Sequence, residues 1–512
     1  MADRKAKEAS IMATTHSVPL SKSYVAAVVE YSPVTSNENG VDIHVSNAEN
    51  YVKFIEKASQ YSADIIIFPE SSLSTGYSGD SKTKEKNAAS FIPDPIDEIS
   101  PCRDENHVYK YTLKRISCAA EKFKIYIAVN HLERVDCEGQ DCPTNGFLMY
   151  NTNVVFDRTG VVIAKYRKYN LFGEPDTNKT SEPMLSTFRT DFGVTFGQFI
   201  CFDLMFREPA LNLTRDLGIT DIIFSSHWFS ELPFLHSLEA QAAWAYGNDI
   251  NFLASGYNEP TTGSGGSGIY AGRKGYIHVV GETKRSNTLV VAKVPKVING
   301  TRICNISLEN LIIYNFNQSE ISTTEITDSG NYRHLTDNLT SFKTESINSN
   351  MRSYDDVICS GEFCCHFALT IDFDETVING NTKYYRYRMA VFDGVRSFSG
   401  YATGHVSVCG IISCINDTLE GCGQIFKLND TIVKPMTFQS LQISIRTHDS
   451  VNYFFMPTTL THNIIPLNVS SFSFTSSSFK EISDYDLHLI KATDDLLTFS
   501  IYGRDFKGKE RA

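Results

Sequence analysis

Three reactive side chains each close a short apolar run. Cys201 ends GQFIC and is followed at once by Phe202 and Asp203; Glu70 ends DIIIFPE; Lys168 ends AKYRK. A thiol held where a strand turns sharply into a helix is placed as a nucleophile. The helix N-terminus lowers its pKa, and the turn presents sulfur and a backbone N–H together. A carboxylate at the end of an apolar strand is drawn out of water and suits a general base. A lysine at a cleft holds a developing oxyanion with a fixed positive charge. Glu174, just beyond Lys168, is placed to pair with that lysine. Together Glu70, Lys168 and Cys201 would make an acyl-transfer apparatus. Singly, each has a plainer reading: a buried inert thiol, a strand-end carboxylate in water, a solvated basic face.

The elements that must position these groups alternate from about residue 24 to 315. YVAAVVEYSP, DIIIFPE, IYIAVNHLE, VTFGQFICFD, TDIIFSSHW and INFLASGY read as near-continuous apolar strands. NAENYVKFIEKASQYSA places Val52, Ile55 and Ala58 on one helical face. VYKYTLKRISCAAEKFK, the segment after CFD, and SLEAQAAWAYGND also read as helices, and TNVVFDRTGVVIAKYRK as a hairpin about Arg158-Thr159-Gly160. In that hairpin, alternation puts Lys165 with Arg167 on one face and Lys168 with Tyr166 on the other. Such alternation predicts an α/β fold of sheets covered by helices. Residues 316–355 are rich in Ser, Thr and Asn and read as a surface connector. Residues 356–512 carry short β-like runs between turns and read as a second, mostly β domain. Residues 1–23 form a polar leading segment, expected to be disordered.

At 512 residues the length suggests two to four domains, and 42% hydrophobic with 21% charged residues is enough for large cores. A net charge of −12 argues against nucleic acid or an anionic membrane as partner. No run approaches the roughly 18 apolar residues of a membrane span. Twelve cysteines and nine sequons, at Asn178, Asn212, Asn299, Asn305, Asn317, Asn338, Asn416, Asn429 and Asn468, favour a secreted, oxidised protein. The opening MADRKAKEASIMATTHSVPLSKSY has no apolar signal-peptide region and the end no hydrophobic tail, so compartment stays open between secretion and the cytosol.

Glu70 in FPE, Lys168 in YRKYNLF and Cys201 in CFD resemble, in that order, the Glu-Lys-Cys triad of the nitrilase (carbon-nitrogen hydrolase) superfamily. NVVFDRTG, KYNLFGE, CFDLMF, DIIFSSHW, INFLASGY and GSGIYA are similar to its vanin and biotinidase branch, as are CSGEFCCHF and AVFDGV in the second half. The resemblance spans roughly residues 24–507. It implies a nitrilase-like α-β-β-α sandwich and cleavage of a linear amide through a Cys201 thioester. In it Glu70 moves the proton, Lys168 and the Phe202 backbone N–H hold the oxyanion, and Glu174 orients the site, with no metal or organic cofactor. The implied substrates are pantetheine or biotin amides such as biocytin. Trp228, Phe234, His236 and Tyr270 are the implied pocket residues, and Phe234 and Gln241 stand where that branch has histidines. The rival readings are another small amide or acyl transfer with the same triad, and a non-catalytic binding protein retaining the fold. A monomer is expected.

GSGGSG at 263–268 fits a nucleotide-binding pattern only formally, since a strand follows it, and reads as a mobile loop at the site mouth. Cys364-Cys365-His366 has no second pair at zinc spacing, so disulfides are expected there. Cys137 and Cys142 bracket a polar loop and are expected to bond. With Cys201 free, one further thiol must be unpaired, and Cys118 is the expected one.

Overall fold

Short apolar runs rich in Val, Ile and Phe and bounded by turn residues become strands, a sheet pairing their backbone groups while both faces are buried. A computed structural model describes residues 21–36, 42–75, 88–281, 283–324, 332–427, 429–448 and 452–507. Of the leading segment 1–23, only the last three residues lie among these. In the first half, the strands are β1 (Ser23–Tyr31), β2 (Ile65–Ile67), β3 (Tyr126–Asp136), β4 (Phe147–Phe156), β5 (Val162–Arg167), β6 (Thr187–Arg189) and β7 (Thr195–Ile200). They continue with β8 (Asp221–Ser226), β9 (Asn251–Gly256), β10 (Ser267–Ala271), β11 (Tyr276–Val280), β12 (Asn287–Pro295) and β13 (Ile312–Asn315). The helices are α1 (Ile43–Gln60), α2 (Tyr111–Phe123) and α3 (Ser237–Asn248).

One sheet runs β13-β12-β1-β2-β3-β4-β5 and the other β11-β10-β9-β8-β7-β6. The cores β1-β2-β3 and β7-β8-β9 are parallel, and the edges antiparallel. Val28, Ile65 and Ala128 of the first sheet meet Phe196, Ile223 and Leu253 of the second. Phe54 and Ile55 of α1 and Leu113 and Ile116 of α2 cover the first sheet from outside. Trp244 of α3 covers the second, against Phe199, Phe224 and Phe252. This is the α-β-β-α sandwich. The β4–β5 hairpin turns at Gly160, whose φ of 76° is left-handed and whose absent Cβ would stand 2.5 Å from the Ser117 carbonyl.

In the second half, β14 (Lys343–Ile347), β15 (Ser353–Ser360), β16 (Phe363–Phe373), β17 (Arg386–Phe398) and β18 (Ala402–Cys414) are followed by β19 (Met436–His448), β20 (Tyr453–Leu460), β21 (Phe472–Phe479), β22 (Ile482–Leu489) and β23 (Thr498–Asp505). They form two sheets, β14-β17-β18-β23-β20 and β15-β16-β19-β22-β21, enclosing a core of residues such as Val391, Phe367, Leu441 and Phe499. The outer face of the first of these sheets, with Phe392, Val408, Phe454 and Met456, packs on α3. That helix therefore serves two sheets, and its apolar character all round follows from it.

The connector reading of 316–355 is corrected. Leu335–Thr336 pairs with Glu231–Leu232, Phe342 is buried against Phe392 at 4.6 Å, and Lys343–Ile347 is an edge strand of the second half. Within that strand Lys343, Glu345 and Ser346 are exposed and Ile347 is buried, as on a sheet edge. The 263–268 glycine segment is likewise buried, with the Gly266 N–H on Glu30 (3.0 Å) and its carbonyl accepting from Gln241 (2.9 Å).

Disulfides join Cys102–Cys118, Cys137–Cys142, Cys359–Cys364, Cys365–Cys409 and Cys414–Cys422. Cys118 is thus paired, contrary to expectation, and Cys304 is the second free thiol beside Cys201. The α2 face that carries Cys118 meets the short helical turn at Cys102, a contact sequence spacing does not reveal.

Candidate active site

Glu70, Lys168 and Cys201 follow the C-terminal ends of β2, β5 and β7, the edge at which open α/β sheets collect ligands. All three are buried, at 2%, 2% and 4% exposure. Lys168 Nζ donates to Glu70 Oε1 at 2.7 Å and to Glu174 Oε1 at 2.5 Å. Two carboxylates about one buried ammonium are tolerable only because each holds further donors. The Asn151 side-chain amide donates to Glu70 Oε1 and to Glu174 Oε2, each at 2.8 Å. Its own oxygen accepts from Asn130 at 2.6 Å, and Glu70 Oε2 accepts the His227 backbone N–H at 2.8 Å. The Asn151 carbonyl receives the Lys168 backbone N–H at 2.8 Å, which fixes where that side chain departs from β5. As alternation predicts, Lys165 and Arg167 point the other way, onto Glu133 at 3.3 and 2.7 Å.

Cys201 has φ 48°, a left-handed conformation costly for any residue with a Cβ. The turn is held by Asp203, which accepts from Ile200 N (3.0 Å), Asn170 N (2.9 Å) and Tyr166 Oη (2.8 Å). Burial outweighs these donors and pushes the Asp203 carboxyl up to about 6. Burial, with the Glu70 charge, pushes the Cys201 thiol well above the ordinary thiol range, against the pull of Lys168. The expected lowering by the helix N-terminus is therefore overridden by burial. Burial would lower the Lys168 ammonium, but Glu174 and Glu70 hold it well above the ordinary lysine range. The segment after the turn, Arg207–Asp216, is a wide π-type helix whose Glu208 is extended (φ −105°, ψ 124°), as a residue before proline prefers.

A narrow cavity of about 30 Å³ opens on Cys201, lined by Phe172, Phe202, Trp228, Phe229, Glu231 and Phe398 among others. Of the expected pocket residues, Trp228 lies there. Phe234, His236 and Tyr270 do not: Phe234 stacks on Phe342 at 5.8 Å, His236 precedes α3 as its N-terminal cap, and Tyr270 donates to Gln241 at 3.0 Å. Buried aromatics near a motif are core more often than lining. Asn151, Asp203, His227 and Phe398 were missed. Asn130, Asn151 and Asn153, polar in apolar strands, were the available signal, because a buried amide needs partners.

Residues 26–248 match the carbon-nitrogen hydrolase family and residues 332–509 the vanin C-terminal domain. The chain is 34% identical to Vanin-like protein 1 of Drosophila melanogaster over 497 residues, covering 94% of this chain and 85% of that one. This chain belongs to the vanin branch of the nitrilase superfamily. It is 28% identical to human pantetheinase, covering 82% of each chain, and 27% identical to Rattus norvegicus biotinidase, covering 78% of this chain and 80% of that one. Among solved structures it is similar to a Saccharomyces cerevisiae member of branch 10 of the nitrilase superfamily (TM-score 0.41, 21% identity, covering 54% of this chain and 91% of that one). As a member of this branch the chain is an enzyme, a hydrolase of amide carbon–nitrogen bonds.

Proposed function

We propose that this vanin-branch hydrolase cleaves a small linear amide of the pantetheine type, releasing pantothenate and cysteamine, or a biotin amide such as biocytin. The observation that carries the reading is the Lys168 ammonium bridging Glu70 and Glu174 beside a buried thiol on a strained turn. Relatedness to pantetheinase and biotinidase over most of their lengths supports the substrate class.

In this reading Glu70 accepts the Cys201 proton as sulfur attacks the carbonyl carbon. The thiol's raised pKa makes a base necessary, and Glu70, held by Lys168, is the carboxylate whose charge acts on it. The oxyanion is held by Lys168 and the Phe202 backbone N–H. Glu70 protonates the departing amine, the C–N bond breaks, and a thioester remains. Glu70 then takes a proton from water, whose oxygen attacks the thioester and expels the thiolate, which regains its proton. Glu174 holds Lys168 in place throughout. Removing one oxyanion donor costs about 10²–10³ in rate.

A secretory route fits five disulfides and seven exposed sequons; only Asn178 and Asn212 are half-buried. A fully reduced, unglycosylated native chain would overturn that part. The activity is tested by following cysteamine release from pantetheine and biotin release from biocytin, with Cys201→Ala as control. Turnover of at least one amide, abolished in the folded variant, is expected. Undiminished hydrolysis by Cys201→Ala would sink the mechanism.

A further inference from the structure

Part of the wall around Cys201 comes from the far end of the chain. Phe398, the last residue of β17, lines the cavity and meets the Phe202 ring edge-on at 5.6 Å. Leu335 also lines it. Two positions before Phe398, on the same strand face, Arg396 is buried at 7% exposure. It donates to Glu231 Oε1 at 2.5 Å and to Asp337 Oδ1 at 3.0 Å. Glu231 lines the cavity, its side chain 14% exposed, and is the one carboxylate among the lining residues.

Arg396 stands against the carboxylates of Glu231 and Asp337, and the buried Arg504 guanidinium lies 5.3 Å from the Phe398 ring; of these four groups only Glu231 lines the cavity. On the other side of Cys201, Lys168 against Glu70 and Glu174 leaves one excess negative charge. The space between has aromatic walls, and the Glu231 and Glu174 side chains are 14% and 21% exposed, so solvent screens these charges only in part. A carboxylate next to the scissile amide would enter a field of its own sign. An uncharged neighbour would not.

We infer that Glu231, clamped by Arg396 of the second-half sandwich, is a specificity-determining residue that turns away amides carrying a carboxylate beside the scissile bond. This rests on the assignment of Cys201 as the nucleophile. It ties the second half of the chain to substrate choice, through Phe398 as wall and Arg396 as clamp. Both amides proposed meet the condition: the amine half of pantetheine ends in a thiol, and the carboxylate of biocytin stands at the far end of the lysine side chain from the scissile nitrogen.

Two readouts test it, in wild type and in Glu231→Gln. The variant is isosteric, keeps an acceptor for Arg396, and leaves Arg396 paired with Asp337. The first readout is alkylation of Cys201 by iodoacetamide and by iodoacetate, followed by peptide mass spectrometry so that Cys304 is scored separately. The second is kcat/KM for pantetheine against pantothenoylcysteine, which differs by one carboxylate on the carbon bearing the amide nitrogen. Wild type should favour the neutral member of each pair, and the variant should narrow both ratios by roughly tenfold, the order expected for removing one unit charge from partly buried surroundings. Phe398→Leu, which alters the wall and no charge, should leave the ratios where they were. Ratios equal in wild type and Glu231→Gln would overturn the inference. Absence of turnover with a shifted alkylation ratio would sustain it and refute the substrate reading alone.

Discussion

Asn151 donates a single side-chain amide nitrogen to both acids that face Lys168, so the two carboxylates share a neutral donor as well as a cation. Asn151→Asp would set a third carboxylate against them, and one of the three would hold a proton. A carboxylate base with a raised pKa works only at higher pH, so the acid limb of the pH–rate profile should move upward, with kcat/KM at pH 7 down about 10²-fold. An unmoved limb, with activity merely scaled, would reduce Asn151 to a packing role. His227 makes the opposite prediction. Burial and the Lys168 charge push its imidazole down to about 4, so it is neutral throughout the range above pH 5. His227→Gln should keep the shape of the profile between pH 5 and 8, read from kcat/KM in overlapping buffers. A titration lost from that window would show His227 to be ionising there.

Strands and helices place these residues by where they end. β2 and β5 run the same way in one sheet, since β5 is antiparallel to β4 and β4 to β3, and they end at Glu70 and Lys168 as β7 of the facing sheet ends at Cys201. The strand reading followed from runs of Ile, Val and Phe, and the position of each reactive group at a run's end was visible in the residues themselves. The role of α3 was not. SLEAQAAWAYGND reads as a helix, but nothing local says that it is covered on both sides. Trp244, fully buried, packs on Phe199 at 5.1 Å and Phe252 at 5.2 Å, while Gly247 admits Phe454 of β20 so closely that a Cβ would stand 3.0 Å from its ring. Trp244→Ala should cost about 3–5 kcal/mol of stability, read as a lowered urea midpoint at constant slope. A loss under about 1 kcal/mol would mean that the second sandwich, not α3, holds this layer.

At the scale of the molecule, layers run α, β, β, α, β, β, and the fourth joins the two halves. Separating them would bare Phe392, Val408, Phe454 and Met456 on one side and the outer face of α3 on the other. A chain ending at residue 324 should therefore aggregate or bind an apolar dye, and should lose turnover with the Phe398 wall. A monomeric, active fragment would show the second half to be dispensable. No helix among the described residues is long and apolar enough to cross a membrane.

Residue types and local spacing determined the alternating elements, the strand-end positions of Glu70, Lys168 and Cys201, the opposed faces of Lys165 and Lys168, and the Cys137–Cys142 bond, because each depends on a few neighbouring residues. Tertiary structure alone decided the rest. Asn151 reaches Glu70 across 81 positions and Arg396 reaches Glu231 across 165, and Cys118 meets Cys102 through the packing of a helix on a turn. Phe234 and Tyr270 went to the core and Phe398 to the cavity for the same reason. Side-chain periodicity says which face a residue takes, and sheet register and layer packing say what that face meets.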